Sequence, residues 1–176
     1  MDTKKEQAEE NKVHLTMGYK TLIERTQKTL NEMSTEIPST LHDAMEIAKK
    51  KAVEIGELTA IEADKVAEFV RRDIHDAAQY IKTEERELAD WLRLDFLLLK
   101  KKALNDFDFL VKQMQSEIKH ISKNMKPGLT WKTGEITGIG TLECDHCHEH
   151  IHFHKAGHIP PCPKCQKTNF HRQWHK

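Results

Sequence analysis

The chain has 176 residues, with 28 Lys and Arg against 28 Asp and Glu, so its formal net charge is zero. This balance argues against a uniformly basic nucleic-acid binder and against a polybasic membrane-binding arm, while leaving a local charged patch open. Hydrophobic residues make up 38% and charged residues 32%, which is typical of long, solvent-exposed helices or coiled coils.

Glycine and proline divide the chain into two parts. Residues 57–126 contain neither, whereas residues 127–176 contain five Gly, four Pro, all four Cys and eight of the twelve His. Pro127-Gly128 is therefore the predicted domain boundary. Residues 1–126 form the predicted helical region, with a net charge of −2, and residues 127–176 a small second domain, with a net charge of +2.

The helical region begins with two predicted helices. Apolar residues at helical spacing predict a first helix from about residue 6 to 34 and a second from about 40 to 55. Ser39 or Thr40 can cap the second helix. Gly56 can end it, because glycine readily adopts the left-handed conformation that closes helices. The short turn that follows predicts an antiparallel hairpin with a third helix.

The third helical stretch is predicted over residues 59–123 and opens with a capping box formed by Thr59 and Glu62. Sixteen positions follow at a repeated spacing of 4, 4 and 3 residues, and all of them except Glu85 are apolar. Unbroken, this helix would be about 95 Å long, far more than the first two helices can cover. Either it breaks near residue 85 or 105 and folds back, or another chain covers its distal half. The sixteen positions are Val66, Val70, Ile74, Ala77, Ile81, Glu85, Leu88, Leu92, Phe96, Leu99, Ala103, Phe107, Leu110, Met114, Ile118 and Ile121.

Four cysteines in the second part carry the clearest chemical signal. They form two Cys-x-x-Cys pairs, Cys144 with Cys147 and Cys162 with Cys165, separated by fourteen residues. Four thiolates at about 2.3 Å make a closed tetrahedral site suited to Zn²⁺. A hairpin between the pairs can bring them together, so we predict one structural zinc per chain, held in a zinc ribbon.

Other uses of these cysteines are disfavoured. Four thiolates leave no position for an activated water, so a catalytic zinc, and with it an enzyme, is not expected. Rubredoxin-type iron sites also use two such pairs, but their knuckles carry Gly where this chain has His148 and Gln166. The start of the chain does not resemble a signal peptide and the longest apolar run, residues 96–99, cannot span a bilayer, so we expect a soluble cytoplasmic protein with reduced thiols.

Histidines alternate along a predicted strand of the second part. Strands are predicted at 142–143, 150–153 and 169–172. On the middle strand the alternation places histidines on one face and Ile151 and Phe153 on the other. This face is either a solvated surface, a second and weaker metal site, or a pH-sensitive surface. Its histidines are His148, His150, His152 and His154, and His171 and His175 can extend it.

Basic and aromatic residues also lie close together in the second part, as they do in some zinc ribbons that bind nucleic acid. Six basic residues against four acidic ones make a weak electrostatic footprint. We therefore interpret Phe153 and Phe170 as core residues. The basic and aromatic residues of the second part considered for nucleic-acid binding are Trp131, Lys132, Phe153, Lys155, Lys164, Lys167, Phe170, Arg172 and Trp174.

Several motifs resemble the YbeL-like bacterial zinc-ribbon proteins over most of residues 55–172. They are Gly56-Glu57-Leu58-Thr59 with Glu62, Arg71-Arg72-Asp73, Trp131 with Thr133-Gly134-Glu135, Gly138-Ile139-Gly140, Leu142 with Cys144, Cys147 and His148, and Cys162-Pro163-Lys164-Cys165. The resemblance implies a cytoplasmic zinc-ribbon protein whose metal ligands are the four cysteines. It implies no catalytic residue.

We therefore predict a mainly α protein, with an elongated helical hairpin and coiled-coil region followed by a small rubredoxin-like β zinc ribbon. The leading hypothesis for its function is a non-enzymatic interaction or scaffold protein whose helical region self-associates or docks a protein partner. A nucleic-acid-associated zinc-ribbon protein is the alternative. A metal-handling or redox-sensing module is a third hypothesis.

Overall fold

The computed structural model describes residues 2–33, 40–84, 109, 111–112 and 129–173. Within these ranges the long helices are α1 (Asp2–Met33), α2 (Leu41–Glu54) and α3 (Ala60–Glu84). None of them is long and apolar enough to cross a membrane. Of the predicted continuation of the third helix to residue 123, the structure describes residues 109, 111 and 112, which are helical. The candidate breaks near 85 and 105 and the stripe positions from Glu85 onward lie outside the described residues.

The ends of α2 and α3 follow from local hydrogen bonding. Thr40 caps α2, because its Oγ1 accepts from the Asp43 amide at 3.1 Å while the Asp43 carboxylate accepts from the Thr40 amide at 3.3 Å. Gly56 follows α2 with φ of 74° and turns the chain toward α3. The Thr59–Glu62 capping box forms as the sequence indicates, with the Glu62 carboxylate 2.9 Å from the Thr59 amide.

The apolar faces of the three helices meet in one core. Val66, Val70, Ile74 and Ala77, the first four positions of the predicted stripe, are all fully buried in it, which confirms their interpretation as core residues. Val111 is also fully buried in this cluster. The second part of the chain contributes as well, through Ile136 and Ala156. The helices and the β region therefore share part of one core. The remaining buried members are Tyr19, Leu22, Leu30, Leu41, Ala44, Met45, Ala48, Ala52, Leu58, Ala63, Ala67 and Ala78.

The second part of the chain folds into two small sheets. The strands are β1 (Trp131–Lys132), β2 (Ile136–Thr137), β3 (Gly140–Cys144), β4 (His150–Phe153), β5 (Gly157–His158) and β6 (Asn169–Arg172). The larger sheet has the strand order β1-β6-β3-β4, with β3 in its interior and antiparallel to both β4 and β6, and the smaller pairs β2 with β5. The strands predicted at 142–143, 150–153 and 169–172 correspond to β3, β4 and β6.

The larger sheet has its own core. Trp131, Leu142, Phe153, Ile159 and Phe170 pack together beside the cysteines, and each is at most 8% exposed. The interpretation of Phe153 and Phe170 as core residues is therefore confirmed.

A buried carboxylate on α3 joins the helices to the sheets. Asp73 is fully buried and accepts hydrogen bonds from Tyr19 Oη on α1 at 2.8 Å and from Trp131 Nε1 on β1 at 2.9 Å. It also accepts from Thr137 Oγ1 at 3.2 Å and from the Gly138 amide at 2.6 Å. A buried carboxylate is tolerable only when such donors replace its lost hydration. These bonds therefore fix the position of the β region on the helices.

Two arginines complete this junction. Arg72 donates to Glu135 and, at 2.8 Å, to the Ile136 carbonyl. Arg172, which is 2% exposed, donates to Thr137 Oγ1 at 2.9 Å. The two guanidinium groups also lie 4.8 and 5.1 Å from the ring centroid of Trp131, within the range of cation–π attraction.

Two glycines allow the chain to approach this junction closely. A Cβ on Gly138 would lie 2.9 Å from Tyr19 Oη, and one on Gly140 would clash with Arg172 Nη1. Gly140 also has φ of 134°, a conformation that L side chains rarely adopt. The Gly138-Ile139-Gly140 motif is thus explained by its contacts with Tyr19 and Arg172.

Asp73→Asn is expected to lower the free energy of unfolding by about 3–5 kcal/mol, because an amide cannot accept all the hydrogen bonds made by the carboxylate and leaves buried cations uncompensated. Tyr19→Phe removes a single donor and should lower it by only about 1 kcal/mol. Urea unfolding of the zinc-loaded chain measures both. Equal effects of the two substitutions would contradict this role of Asp73.

Asp76, one turn after Asp73 on α3, gives a pH-dependent contribution to stability. Burial raises the pKa of its carboxyl to about 7, and the Asp73 charge adds to this, while Arg172 and Arg72 oppose it. Because the folded-state pKa lies above the unfolded-state value, this group makes the protein less stable as pH rises from about 4 to about 7, and its contribution is constant above that.

Asp76→Asn removes this titration. The stability of the variant relative to the native chain should therefore rise by about 2 kcal/mol between about pH 5.5 and about pH 8. The measurement is urea unfolding of both proteins at both pH values with saturating zinc. Any effect of the substitution that is independent of pH cancels when the stability differences at the two pH values are compared. A difference that stays constant with pH would show that Asp76 is ionised throughout this range.

Candidate metal centre

The structure brings the four predicted ligands to one point. All four sulfur atoms lie within 4.8 Å of one another, with 3.6 Å between those of Cys144 and Cys165 and 3.5 Å between those of Cys147 and Cys162. A tetrahedron of sulfurs around Zn²⁺ at about 2.3 Å has edges of about 3.8 Å. All four cysteines are free thiols. Their arrangement therefore fits a tetrahedral zinc ion.

Each Cys-x-x-Cys pair is shaped by a tight turn. The His148 amide donates to the Cys144 carbonyl at 3.0 Å, and the Gln166 amide donates to the Cys162 carbonyl at 2.9 Å. Both donor residues have left-handed backbone, with φ of 59° at His148 and 61° at Gln166. The two knuckles thus share one geometry, although neither has a glycine. The absence of glycine at positions 148 and 166 therefore does not distinguish a zinc site from a rubredoxin-type iron site.

The thiols differ in how readily they ionise. Burial disfavours the thiolate of Cys162, but backbone donors from Cys165 and Lys164 outweigh it and lower its pKa to about 7. Burial and the neighbouring thiols raise the pKa of Cys147 to about 12. Sulfurs this close cannot all ionise unless a positive charge lies between them, which a divalent metal supplies.

The surroundings of the cysteines suit a structural metal. Cys144 and Cys162 are fully buried and belong to the core of the larger sheet. Four thiolates complete a tetrahedron, as in closed structural zinc sites. A metal bound by these four thiolates would add folding free energy to a domain of about fifty residues that has a small core of its own.

The predicted histidine face divides between two partners. His148 Nδ1 lies 2.7 Å from Glu143 Oε1 and His150 Nε2 lies 3.3 Å from Glu143 Oε2. His152 Nδ1 instead lies 2.9 Å from Thr141 Oγ1, and His154 is exposed beyond the end of β4. His175 lies outside the described residues. The position of Glu143 beside these rings depends on the pairing of β3 with β4, which the sequence pattern does not reveal.

Comparisons with known proteins agree with the metal centre. A family model described as a zinc-ribbon containing domain matches residues 27–174, which include all four cysteines. The chain is 26% identical over 129 residues to the uncharacterized protein YbeL of Escherichia coli strain K12, covering 73% of this chain and 79% of that protein. The YbeL proteins of strains O6:H1 and O157:H7 match with the same figures. No solved structure matches the chain.

Substitutions at Gln166 test the left-handed knuckle. Gln166→Val should lower the free energy of unfolding by about 1–2 kcal/mol, because a β-branched residue is strained at positive φ. Gln166→Gly should leave it almost unchanged, since the relief of strain is offset by the greater freedom of glycine in the unfolded chain. Unfolding of the zinc-loaded protein and competition with a chelator measure both variants. Valine tolerated as well as glycine would contradict the assigned backbone geometry.

Proposed function

The chain belongs to the family defined by the zinc-ribbon containing domain, and from this premise we propose that it is a non-enzymatic scaffold that docks a protein partner. The match confirms the resemblance to YbeL-like proteins that the motifs indicated. The four clustered cysteines support a structural role for zinc. In the proposed function the ribbon holds the helices in place, and an exposed strip on α1 binds the partner.

The observation that carries this proposal is a pair of exposed apolar side chains on α1. Val13 is 55% and Met17 is 62% exposed, and they lie one helical turn apart. They belong to an open surface on one face of α1. Exposed apolar side chains grouped in this way often mark an interaction surface. The residues of this surface, called the α1 strip below, are Glu6, Glu9, Glu10, Val13, His14 and Met17.

The charge of the α1 strip indicates the chemistry of the partner. Its three glutamates favour a segment that carries lysine or arginine beside apolar side chains, as in a basic amphipathic helix. Two copies of the strip facing each other would bring carboxylates together, which disfavours self-association through this surface. Self-association through residues 88–121, and a coiled coil there, stay predictions, since the structure describes just residues 109, 111 and 112 of this range.

The ribbon supports α1 next to the strip. The ring of His158 on β5 lies between two carbonyl oxygens, with Nδ1 2.9 Å from that of Gly134 and Nε2 3.2 Å from that of Lys12 on α1. Lys12 directly precedes Val13. A zinc-stabilised β region thus contacts the helix that carries the proposed docking surface, which gives the metal a purpose in partner binding without any catalytic step.

The nucleic-acid alternative receives less support from the ribbon. Trp131, Phe153 and Phe170 are packed in its core, where they cannot stack on bases. Trp174 lies outside the described residues.

The double substitution Val13→Glu and Met17→Glu tests the proposal. Both side chains are exposed, so the fold should be retained, while capture of a specific partner from cells should fall at least about tenfold, as expected for loss of an interface anchor. Ile47→Glu, at a residue 45% exposed on α2, is the matched control and should bind normally. Capture should weaken with salt and survive nuclease treatment. Undiminished capture by the double variant would reject the α1 strip, and capture lost with nuclease would favour the nucleic-acid alternative.

A further inference from the structure

A row of metal-binding side chain types crosses the larger sheet on its exposed face. Glu143 on β3 is directly paired with His150 on β4 and with His171 on β6. Directly paired residues on antiparallel strands project to the same face, with Cβ atoms about 4.5–5.5 Å apart. These three residues, called the His-Glu-His row below, are therefore neighbours because of the strand register, although they are spread over 29 positions of the sequence.

The side chains of the row converge on the central carboxylate. His150 Nε2 lies 3.3 Å from Glu143 Oε2, and His171 Nε2 lies 3.9 Å from Glu143 Oε1. Ligand atoms bound to one metal ion at about 2.1 Å are separated by about 3.0–3.4 Å at tetrahedral or octahedral angles. His148, whose side chain is 74% exposed, adds a third ring at 2.7 Å from Glu143 Oε1. The histidine rings would have to rotate to bring their nitrogens around one ion beside Glu143, whose side chain is 16% exposed.

A second carboxylate orients His171. Its Nδ1 lies 2.6 Å from Asp145 Oδ1. A carboxylate only accepts hydrogen bonds, so Nδ1 carries a proton, and in the neutral ring Nε2 then presents a lone pair toward Glu143. The Nε2 lone pair of His171 and the Glu143 carboxylate repel each other, and a cation between them would remove this repulsion. The same carboxylate–histidine arrangement orients histidine ligands at metal sites in general.

We propose that Glu143, His150 and His171 form a second metal site that takes an exchangeable divalent transition metal ion, with His148 as a further ligand and Asp145 orienting His171. Two imidazoles and one carboxylate suit Zn²⁺, Ni²⁺ or Cu²⁺ rather than Mg²⁺ or Ca²⁺. The site is weaker than the cysteine centre. Among the described residues the four cysteines are the one group whose ligand atoms already lie within 4.8 Å of one another, whereas the row must close around its ion.

This assignment differs from the metal site considered from the sequence alone. That hypothesis used alternate histidines along β4, but His152 is engaged by Thr141 in the next row of the sheet. The site runs across the strands instead of along one of them. It also goes beyond the proposed scaffold function, since the docking surface on α1 does not involve these residues.

Nickel is a suitable probe because imidazole binds Ni²⁺ well and the structural zinc can be counted separately. The full chain, with zinc in the cysteine centre, is titrated with Ni²⁺ by calorimetry, and elemental analysis before and after checks that zinc is retained. We expect one Ni²⁺ per chain in addition to the zinc. Zinc retention without any nickel binding at millimolar concentrations would overturn the proposal.

Variants then locate the site. His171→Ala and Glu143→Gln should each weaken Ni²⁺ binding at least about tenfold, as expected for loss of a metal ligand or its close support. His152→Ala, on the same face and the same strand as His150, is the matched control and should bind as the native chain does. The proposed site would be rejected if His171→Ala and Glu143→Gln retained nickel binding, or if His152→Ala lost as much binding as they did.

A measurement on the native chain makes the result independent of folding effects in the variants. Paramagnetic Ni²⁺ should broaden the ring proton signals of His150 and His171 at lower concentrations than those of His154 and of the exposed His42 on α2. Broadening of all these signals at the same concentration would mean unspecific binding by exposed histidines and would also reject the proposal.

Discussion

The buried carboxylate of Asp73 is the interaction on which the arrangement of the molecule depends. It lies on α3, and its donors come from α1, β1, β2 and the turn after β2. Without these donors a buried charge would destabilise the helices by several kcal/mol, so the helical region and the ribbon are each incomplete alone. This accounts for the pattern of the resemblance to YbeL-like proteins. Its motifs in α3 and in the ribbon, far apart in sequence, meet at this carboxylate.

Features set by nearby residues could be predicted from the sequence, and features set by distant ones could not. The capping box at Thr59 and the cysteine pairs depend on spacings of three residues, so their patterns are visible directly. Asp73 has partners 54 to 65 residues away, and a charged residue on a helix normally indicates a solvent-facing position. The two-residue strands β1, β2 and β5 are too short to show alternation. The left-handed backbone at His148 and Gln166 was missed because neither is glycine.

The ribbon illustrates how a small sheet organises chemistry on both of its faces. One face packs Trp131, Leu142 and Phe170 into a core beside the cysteines, while the other presents Glu143 between His150 and His171. Alternation along β4 indicated that histidines would share a face. However, the register of three strands determines which residues lie beside those histidines, and register cannot be predicted from one strand alone.

The shared core has a consequence for how long the protein persists in a cell. Ile136 and Ala156 belong to the β region but are buried among the helices, so the loss of zinc would withdraw side chains from the helical core as well. Metal binding then acts by mass action on the folded population of the whole chain, and proteases remove the unfolded fraction. Loss of the metal would therefore expose the helices as well as the ribbon to proteolysis.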